Sequence, residues 1–251
     1  SKAGLKAEDL ITHIDGMPIR GKTLSEAVRI MRGPPGKAIL LQVRRKGSPE
    51  FSVRIVRSII KVKAIRWSIN GNIGYLRIIR FSERTQPELR LAIENIKTSL
   101  GKRLSGVVID LRNNPGGLLD QSVYVTDTFL DAGEIVSIRG RTASNVRSYK
   151  AKKGDMLTGV SIVVLINKGS ASASEIVASA LQHHGRAVIM GRTSFGKGSV
   201  QTIMPLPIEG ALRLTTALYY SPSGRTIQAA GVQPDIVLIK PAKKSLENQG
   251  A

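Results

Sequence analysis

Residues 161–201 read SIVVLINKGSASASEIVASALQHHGRAVIMGRTSFGKGSVQ, and the rest of the chain is arranged around them. Ile162 to Ile166 is an apolar, β-branched run with the length of a buried strand. Asn167-Lys168-Gly169 breaks it, and a serine-rich turn follows. The periodicity then becomes helical, with Ile176, Val177, Ala180 and Leu181 on one face. Gly185 ends that helix, and Ala187 to Met190 reads as the next strand. A lysine held between two glycines, Gly196-Lys197-Gly198, closes the stretch.

A serine at a strand-to-helix turn sits where backbone N–H groups lack intrahelical partners and the helix dipole is positive, a setting suited to a nucleophile. The same word has a bland reading. Ser172 followed three residues later by Glu175 before an apolar run is a capping box, which only satisfies free amides. Composition does not choose among Ser170, Ser172 and Ser174.

The runs GSASASEIVASAL and GRAVIMGRTSFGKGSVQ resemble, over about 40 residues without a gap, the signature of the carboxy-terminal processing proteases. These tail-specific proteases, peptidase family S41, are serine peptidases with a Ser/Lys dyad. The resemblance implies that Ser172 is the nucleophile and Lys197, 25 residues on, the general base. It further implies that Gln201 orients the lysine.

A second stretch, Asp110-Leu-Arg-Asn-Asn-Pro-Gly-Gly-Leu118, follows the apolar strand Val107 to Leu111. Paired glycines at a strand end let backbone approach a ligand closely, although a plain strand-to-helix connection uses glycine too. The family resemblance makes the Gly117 and Ala173 N–H groups the oxyanion donors. Gly231-Val-Gln-Pro-Asp235 is a further word of that family. The strand–helix alternation over residues 105–205 argues for an α/β core, and the resemblance implies a crotonase- or ClpP-like β-spiral.

Further toward the N-terminus, Ile73 to Phe81 reads as a core strand and Glu83 to Leu100 as a helix starting near Pro87. Leu118 to Leu130 reads as a helix and Glu134 to Ile138 as a strand. Residues 140–160 are expected to form a strand pair and a loop over the active-site groove. After Gln201, Ile203 to Leu206, Ala211 to Tyr220 and Val237 to Ile239 read as strands, and the last ten residues as a frayed end. Residues 1–56 alternate turns with short periodic runs: strand Leu10 to Ile14, a turn at Asp15-Gly16, and a helix capped by Thr23. Gly33-Pro-Pro-Gly36 stops that helix, and strands Ile39 to Arg44 and Phe51 to Val56 follow. AGLKAEDLITHIDGMPI and TLSEAVRIMRGPPG resemble the second half of a PDZ domain of the processing-protease type. The expected organisation is a PDZ remnant at 1–56, its first strands and carboxylate-binding loop preceding Ser1, and a protease core with cap region at 57–251.

Thirty-eight lysines and arginines against 18 carboxylates give a net charge of +20. The cations fall in short separate clusters (Arg44-Arg45-Lys46, Arg139 to Arg147, Lys150 to Lys153, Lys243-Lys244) without interleaved aromatics, which argues against specific nucleic-acid binding. An anionic membrane surface and homo-oligomerisation stay open as partners. No run of about 18 apolar residues is present to span a membrane. The absence of cysteine excludes disulfides and thiolate chemistry.

A lysine is a base near neutral pH only if its pKa falls from about 10.4 toward 7–8, about 4 kcal/mol of differential solvation. Burial does this, and Phe195 with the flanking glycines suits an apolar wall and a close backbone. His183 lies 11 residues past Ser172, about 16 Å up a helix axis, out of reach of the hydroxyl. His13 reads as packing or surface, and His183-His184 cannot both face one ion, so no metal or cofactor is expected. The resemblance to the carboxy-terminal processing proteases implies peptide-bond hydrolysis through an acyl-enzyme near protein C-termini, by a bacterial envelope enzyme whose partners are protein and peptide substrates. A non-catalytic scaffold of the same fold and a crotonase-like acyl transferase are the rival readings.

Overall fold

The computed structural model describes residues 3–59, 63–142, 146–207 and 210–238; Ile239, Lys243-Lys244 and the last ten residues lie outside them. The chain divides into two units, Ser1–Val62 and Lys63–Ala251.

In the first unit, strands β1 (Leu10–Ile14), β2 (Met17–Pro18), β3 (Ala38–Arg44) and β4 (Phe51–Val56) form an antiparallel sheet in the order β2-β1-β3-β4. Helix α1 (Leu24–Met31) starts where the sequence places it. Thr23 Oγ1 accepts from the Glu26 N–H at 3.3 Å, and Glu26 Oε2 accepts from the Thr23 N–H at 2.7 Å. Ile14, Ile39, Leu41, Val43 and Val53 make the core. Arg45 grips Asp9 with two 2.7 Å bonds and pulls its carboxyl down to about 2.

The second unit carries the α/β core expected from the alternation. Its strands and helices follow as β5 (Ile65–Asn70), β6 (Ile73–Ile78), α2 (Thr85–Leu100), β7 (Gly106–Asp110), α3 (Leu119–Asp127), β8 (Glu134–Gly140), β9 (Val146–Lys150), β10 (Ser161–Ile166) and α4 (Ala173–His183). Strands β11 (Val188–Gly191), β12 (Ser199–Pro205), β13 (Ala211–Tyr220) and β14 (Ile236–Val237) complete it. One sheet runs β14-β11-β10-β7-β6-β5, parallel except for the β5–β6 hairpin. The other, antiparallel, runs β12-β13-β8-β9. Alternation along each strand turns Leu76, Ile78, Ile109, Val164 and Ile166 to one face of the larger sheet, where Ile93 and Ile96 of α2 and Val177 and Leu181 of α4 meet them. Each such side chain, fully buried, contributes about 1.5–3 kcal/mol. Parallel pairing of β7 with β10 brings their carboxyl ends together, and ligands of open α/β sheets sit beyond such carboxyl ends.

Three elements differ from the sequence reading. Strand β5 went unread because its exposed residues Arg66, Trp67 and Ser68 hide the period. Strand β6 stops at Ile78, and Phe81 instead makes an isolated parallel bridge to Gly117. Residues 151–160 do not cover the serine. Their Met156 amide donates to Thr128, and Asp155 takes Arg186, beyond the far end of α4, at 2.8 Å.

Candidate active site

Three serines compete in the turn between β10 and α4, and the structure separates them. Ser170 and Ser174 are fully buried. The Ser170 hydroxyl donates to the Leu111 carbonyl (2.8 Å) and that of Ser174 to the Asn114 carbonyl (2.9 Å). Both thereby tie the turn to the loop after β7. Asn114 ties it further, accepting from the Ala171 amide and donating its own side-chain amide to the Ile78 carbonyl. Ser172 stays half-buried at the head of α4, with φ 56° and ψ −114°. A β-substituted residue in that region costs about 1–3 kcal/mol and persists only where its surroundings impose it.

The imposing group is Glu175. It completes the capping box read from the sequence, its Oε2 accepting from the Ser172 N–H at 2.7 Å. The same oxygen also accepts from the Lys197 N–H at 2.9 Å. Oε1 accepts from the Ser194 hydroxyl (2.5 Å) and the Gly196 N–H (2.6 Å). With no exposed surface, this carboxylate offers acceptor sites to four donors, enough to offset its desolvation. The backbones of the serine and the lysine therefore hang on one atom. The sequence supplied Glu175 as a local cap; nothing in its spacing could announce contacts 19–22 residues away.

The glycines on either side of Lys197 are steric requirements. A Cβ at Gly198 would stand 2.4 Å from the Gln228 nitrogen, and one at Gly196 3.1 Å from the Ala229 carbonyl carbon. The close backbone approach expected there is present. The apolar wall is not: Phe195 is 67% exposed, and Lys197 is exposed as well. Burial of the lysine by its own chain, expected from the sequence, is absent because Glu175 and the 227–231 segment hold the backbone of this loop, leaving the Phe195 and Lys197 side chains outward. Among the described residues the Lys197 ammonium has no hydrogen-bond partner. Gln201 lies in β12 opposite Thr215, just past a bulge, exposed and likewise without a bond to Lys197.

Gly116 and Gly117 approach the serine from the other side. A Cβ on Gly116 would fall 2.9 Å from Ser172 Cβ and 3.0 Å from the Ala173 nitrogen. Gly117, at φ 148°, runs so close to Phe81 that a Cβ would fall 2.0 Å from its carbonyl oxygen. Phe81 donates to the Gly116 carbonyl and accepts from the Leu118 amide, so the Gly117 N–H points away from Phe81. Neither it nor the Ala173 N–H is used in a hydrogen bond among the described residues.

Asp110, in the Asp-Leu-Arg word, is a brace. Burial pushes its carboxyl up, but the Arg112 guanidinium (2.8 Å) and the Tyr75 hydroxyl (2.6 Å) outweigh burial and hold it below the usual carboxylate range. The histidines stand apart: His184 Nε2 is 2.7 Å from the Glu134 carbonyl, His183 is exposed, and His13 contacts Thr12. Among the described residues no three His, Asp or Glu side chains cluster to hold a metal ion, and no helix is long and apolar enough to cross a membrane.

An α/β unit with a strained serine at a helix head and a glycine-flanked lysine defines a class that comparison identifies. The model of peptidase family S41 matches residues 72–238, and that of a PDZ domain matches residues 1–45. The chain belongs to peptidase family S41. It is 56% identical over 243 residues to the carboxy-terminal-processing protease of Bartonella bacilliformis, across 96% of this chain and 56% of the relative. It is 34% identical over 247 residues to a probable CtpA-like serine protease of Staphylococcus haemolyticus, across 98% of this chain and 49% of the relative. The chain thus spans about half the length of these curated relatives. Among solved structures it resembles the photosystem II D1 C-terminal processing protease, with a TM-score of 0.65 and 29% identity over 94% of this chain and 64% of the other. Mature CPAF, at 15% identity and a TM-score of 0.56, shares the fold alone.

Proposed function

We propose that the chain hydrolyses peptide bonds with Ser172 as nucleophile and Lys197 as general base, and that it cuts protein substrates near their C-termini as its relatives' names describe. The observation that supports the reading is the Glu175 carboxylate shared by the Ser172 and Lys197 amides, which holds the backbones of these two residues to one oxygen. Ser172 Oγ attacks the scissile carbonyl carbon while its proton passes to Lys197 Nζ. The Gly117 and Ala173 N–H groups receive the developing oxyanion, an interaction stronger in the transition state than in the ground state. The protonated lysine then donates to the leaving amine, and water attacks the acyl-enzyme with Lys197 again as base. Because Lys197 is exposed in the free chain, the desolvation that frees its amine has to come from the substrate strand lying over it. Gln201, four residues along, orients the lysine once substrate is bound.

The proposed setting is the bacterial envelope, where the +20 charge favours contact with anionic surfaces. A fluorogenic unfolded peptide and an acyl-CoA thioester, each assayed with wild type and Ser172→Ala, test the proposal. Peptide turnover lost in Ser172→Ala supports it. Thioester turnover alone indicates a crotonase-like transferase, and no turnover of either indicates a scaffold.

A further inference from the structure

Two cavities of the second unit open on one side chain. The first, about 440 Å³, is lined by Gly117, Leu118, Arg80 and Arg84 among others. The second, about 560 Å³, is lined by Lys63, Arg66, Trp67 and Leu91, and again by Arg84. They meet at Arg84, and the two together, here called the groove, reach from the proposed oxyanion donor Gly117 to β5, the edge strand of the large sheet.

The chemistry of the groove is uneven in a telling way. Leu118, Leu91 and Trp67 are 48%, 59% and 42% exposed, apolar steps left open to water. Lys63, Arg66, Arg80 and Arg84 face two carboxylates, Glu83 and Glu88. The Glu88 charge is already taken up: Arg84 holds Oε1 at 2.9 Å, and the Ala64 and Ile65 amides donate to Oε2 at 2.8 and 3.1 Å. A net positive lining remains. The edge itself offers backbone. The Ile79 amide bonds the Ala64 carbonyl, which fixes the phase of the β5–β6 ladder so that Arg66, Ser68 and Asn70 pair inward. Trp67 and Ile69 therefore turn their N–H and C=O groups outward, to the open edge of the sheet.

We propose that this groove is an exosite for substrate polypeptide, taking an unfolded stretch that carries acidic side chains and a bulky apolar one. The stretch pairs with the edge of β5, seats its apolar residue against Trp67 and Leu91, and leads toward Gly117. This inference rests on the protease reading. A strand edge with alternating donors and acceptors complements a peptide backbone, and a single aromatic is a poor platform for stacked bases, so polypeptide is favoured over single-stranded nucleic acid.

The test uses fluorescence anisotropy on the Ser172→Ala chain. Labelled unfolded peptides carry a Glu triplet, a Gln triplet or a Lys triplet, stepped one residue at a time from the expected cleavage point. The Glu peptide should bind at least tenfold more tightly than the Gln peptide at some offset. Arg66→Glu and, separately, Trp67→Ala should abolish that advantage, and an oligothymidine should not compete. On the active chain the same two changes should raise KM for the long acidic peptide about tenfold with kcat unchanged, and leave a peptide too short to reach β5 unaffected. Equal binding of Glu and Gln peptides, an advantage retained in both variants, or displacement by oligothymidine at comparable concentration overturns the exosite. Selective acidic binding without any cleavage keeps the exosite and sinks the protease reading, whereas cleavage indifferent to acidic residues does the reverse.

Discussion

Two helices of this chain begin with the same word, Thr23-Leu-Ser-Glu26 and Ser172-Ala-Ser-Glu175, and both close a capping box. At α1 the cap is ordinary: Thr23 has φ −68° and ψ 158°, and Glu26 is exposed, its carboxylate bonded among the described residues only to Thr23. At α4 the cap residue is forced to φ 56°, and its glutamate is fully buried with four donors, three of them from residues 194–197. A capping box is thus a local device in one place and the junction of the proposed catalytic site in the other. What distinguishes them is burial of the carboxylate and the sequence distance of its partners.

That contrast is open to attack by mutation, beginning with the largest effect. Ser172→Ala should lower peptide turnover by about four orders of magnitude or more while the fold survives in circular dichroism. Ser172→Gly should be equally inactive yet gain about 1 kcal/mol in urea melts, since glycine relieves the positive φ. Thr23→Gly, where no strain exists to relieve, should instead lose a few tenths.

Removing the two glutamates should separate the boxes most clearly. Glu175→Ala leaves four donors, two of them buried, without an acceptor and should cost about 3–5 kcal/mol, with turnover falling at least about a hundredfold. Glu26→Ala should cost under about 1 kcal/mol in hydrogen exchange of α1. Comparable losses at the two sites would erase the distinction.

Asp110 extends the rule to a carboxylate outside any cap. Asp110→Asn should cost about 3 kcal/mol at neutral pH by leaving Arg112 and Tyr75 short of their partner. The Asp110 pKa is depressed in the folded state, so its contribution is complete above the unfolded value, about 3.9, and is lost as pH falls through the folded value. Urea melts at stepped pH should find the deficit of the variant shrinking below about pH 4. Smallest of all, Thr23→Ala should lower the stability of the first unit by about 1 kcal/mol without altering peptide turnover.

Much of this architecture is legible in the residues. Apolar periods locate β10, α4 and β7, and turn chemistry locates the glycines at 116–117 and 196–198. The serine and lysine are legible only through resemblance, since Ser-x-x-Glu by itself states a cap. What stays hidden is tertiary. The grip of Glu175 on Gly196 and Lys197 joins segments that no short-range period connects. The exposure of Lys197 depends on where the 227–231 segment anchors its loop, and β5 escapes notice because an edge strand need not alternate.

The central claim is that Ser172 and Lys197 act as one unit, and covalent labelling tests it most directly. A fluorophosphonate probe is reacted with wild type, Lys197→Ala and Ser172→Ala at neutral pH, and the modified peptide is located by mass spectrometry. The account requires one adduct on the peptide containing Ser172 in the wild type, its formation slowed at least about a thousandfold in a folded Lys197→Ala chain, and none in Ser172→Ala. Labelling at another serine, or an undiminished rate in Lys197→Ala, would contradict it.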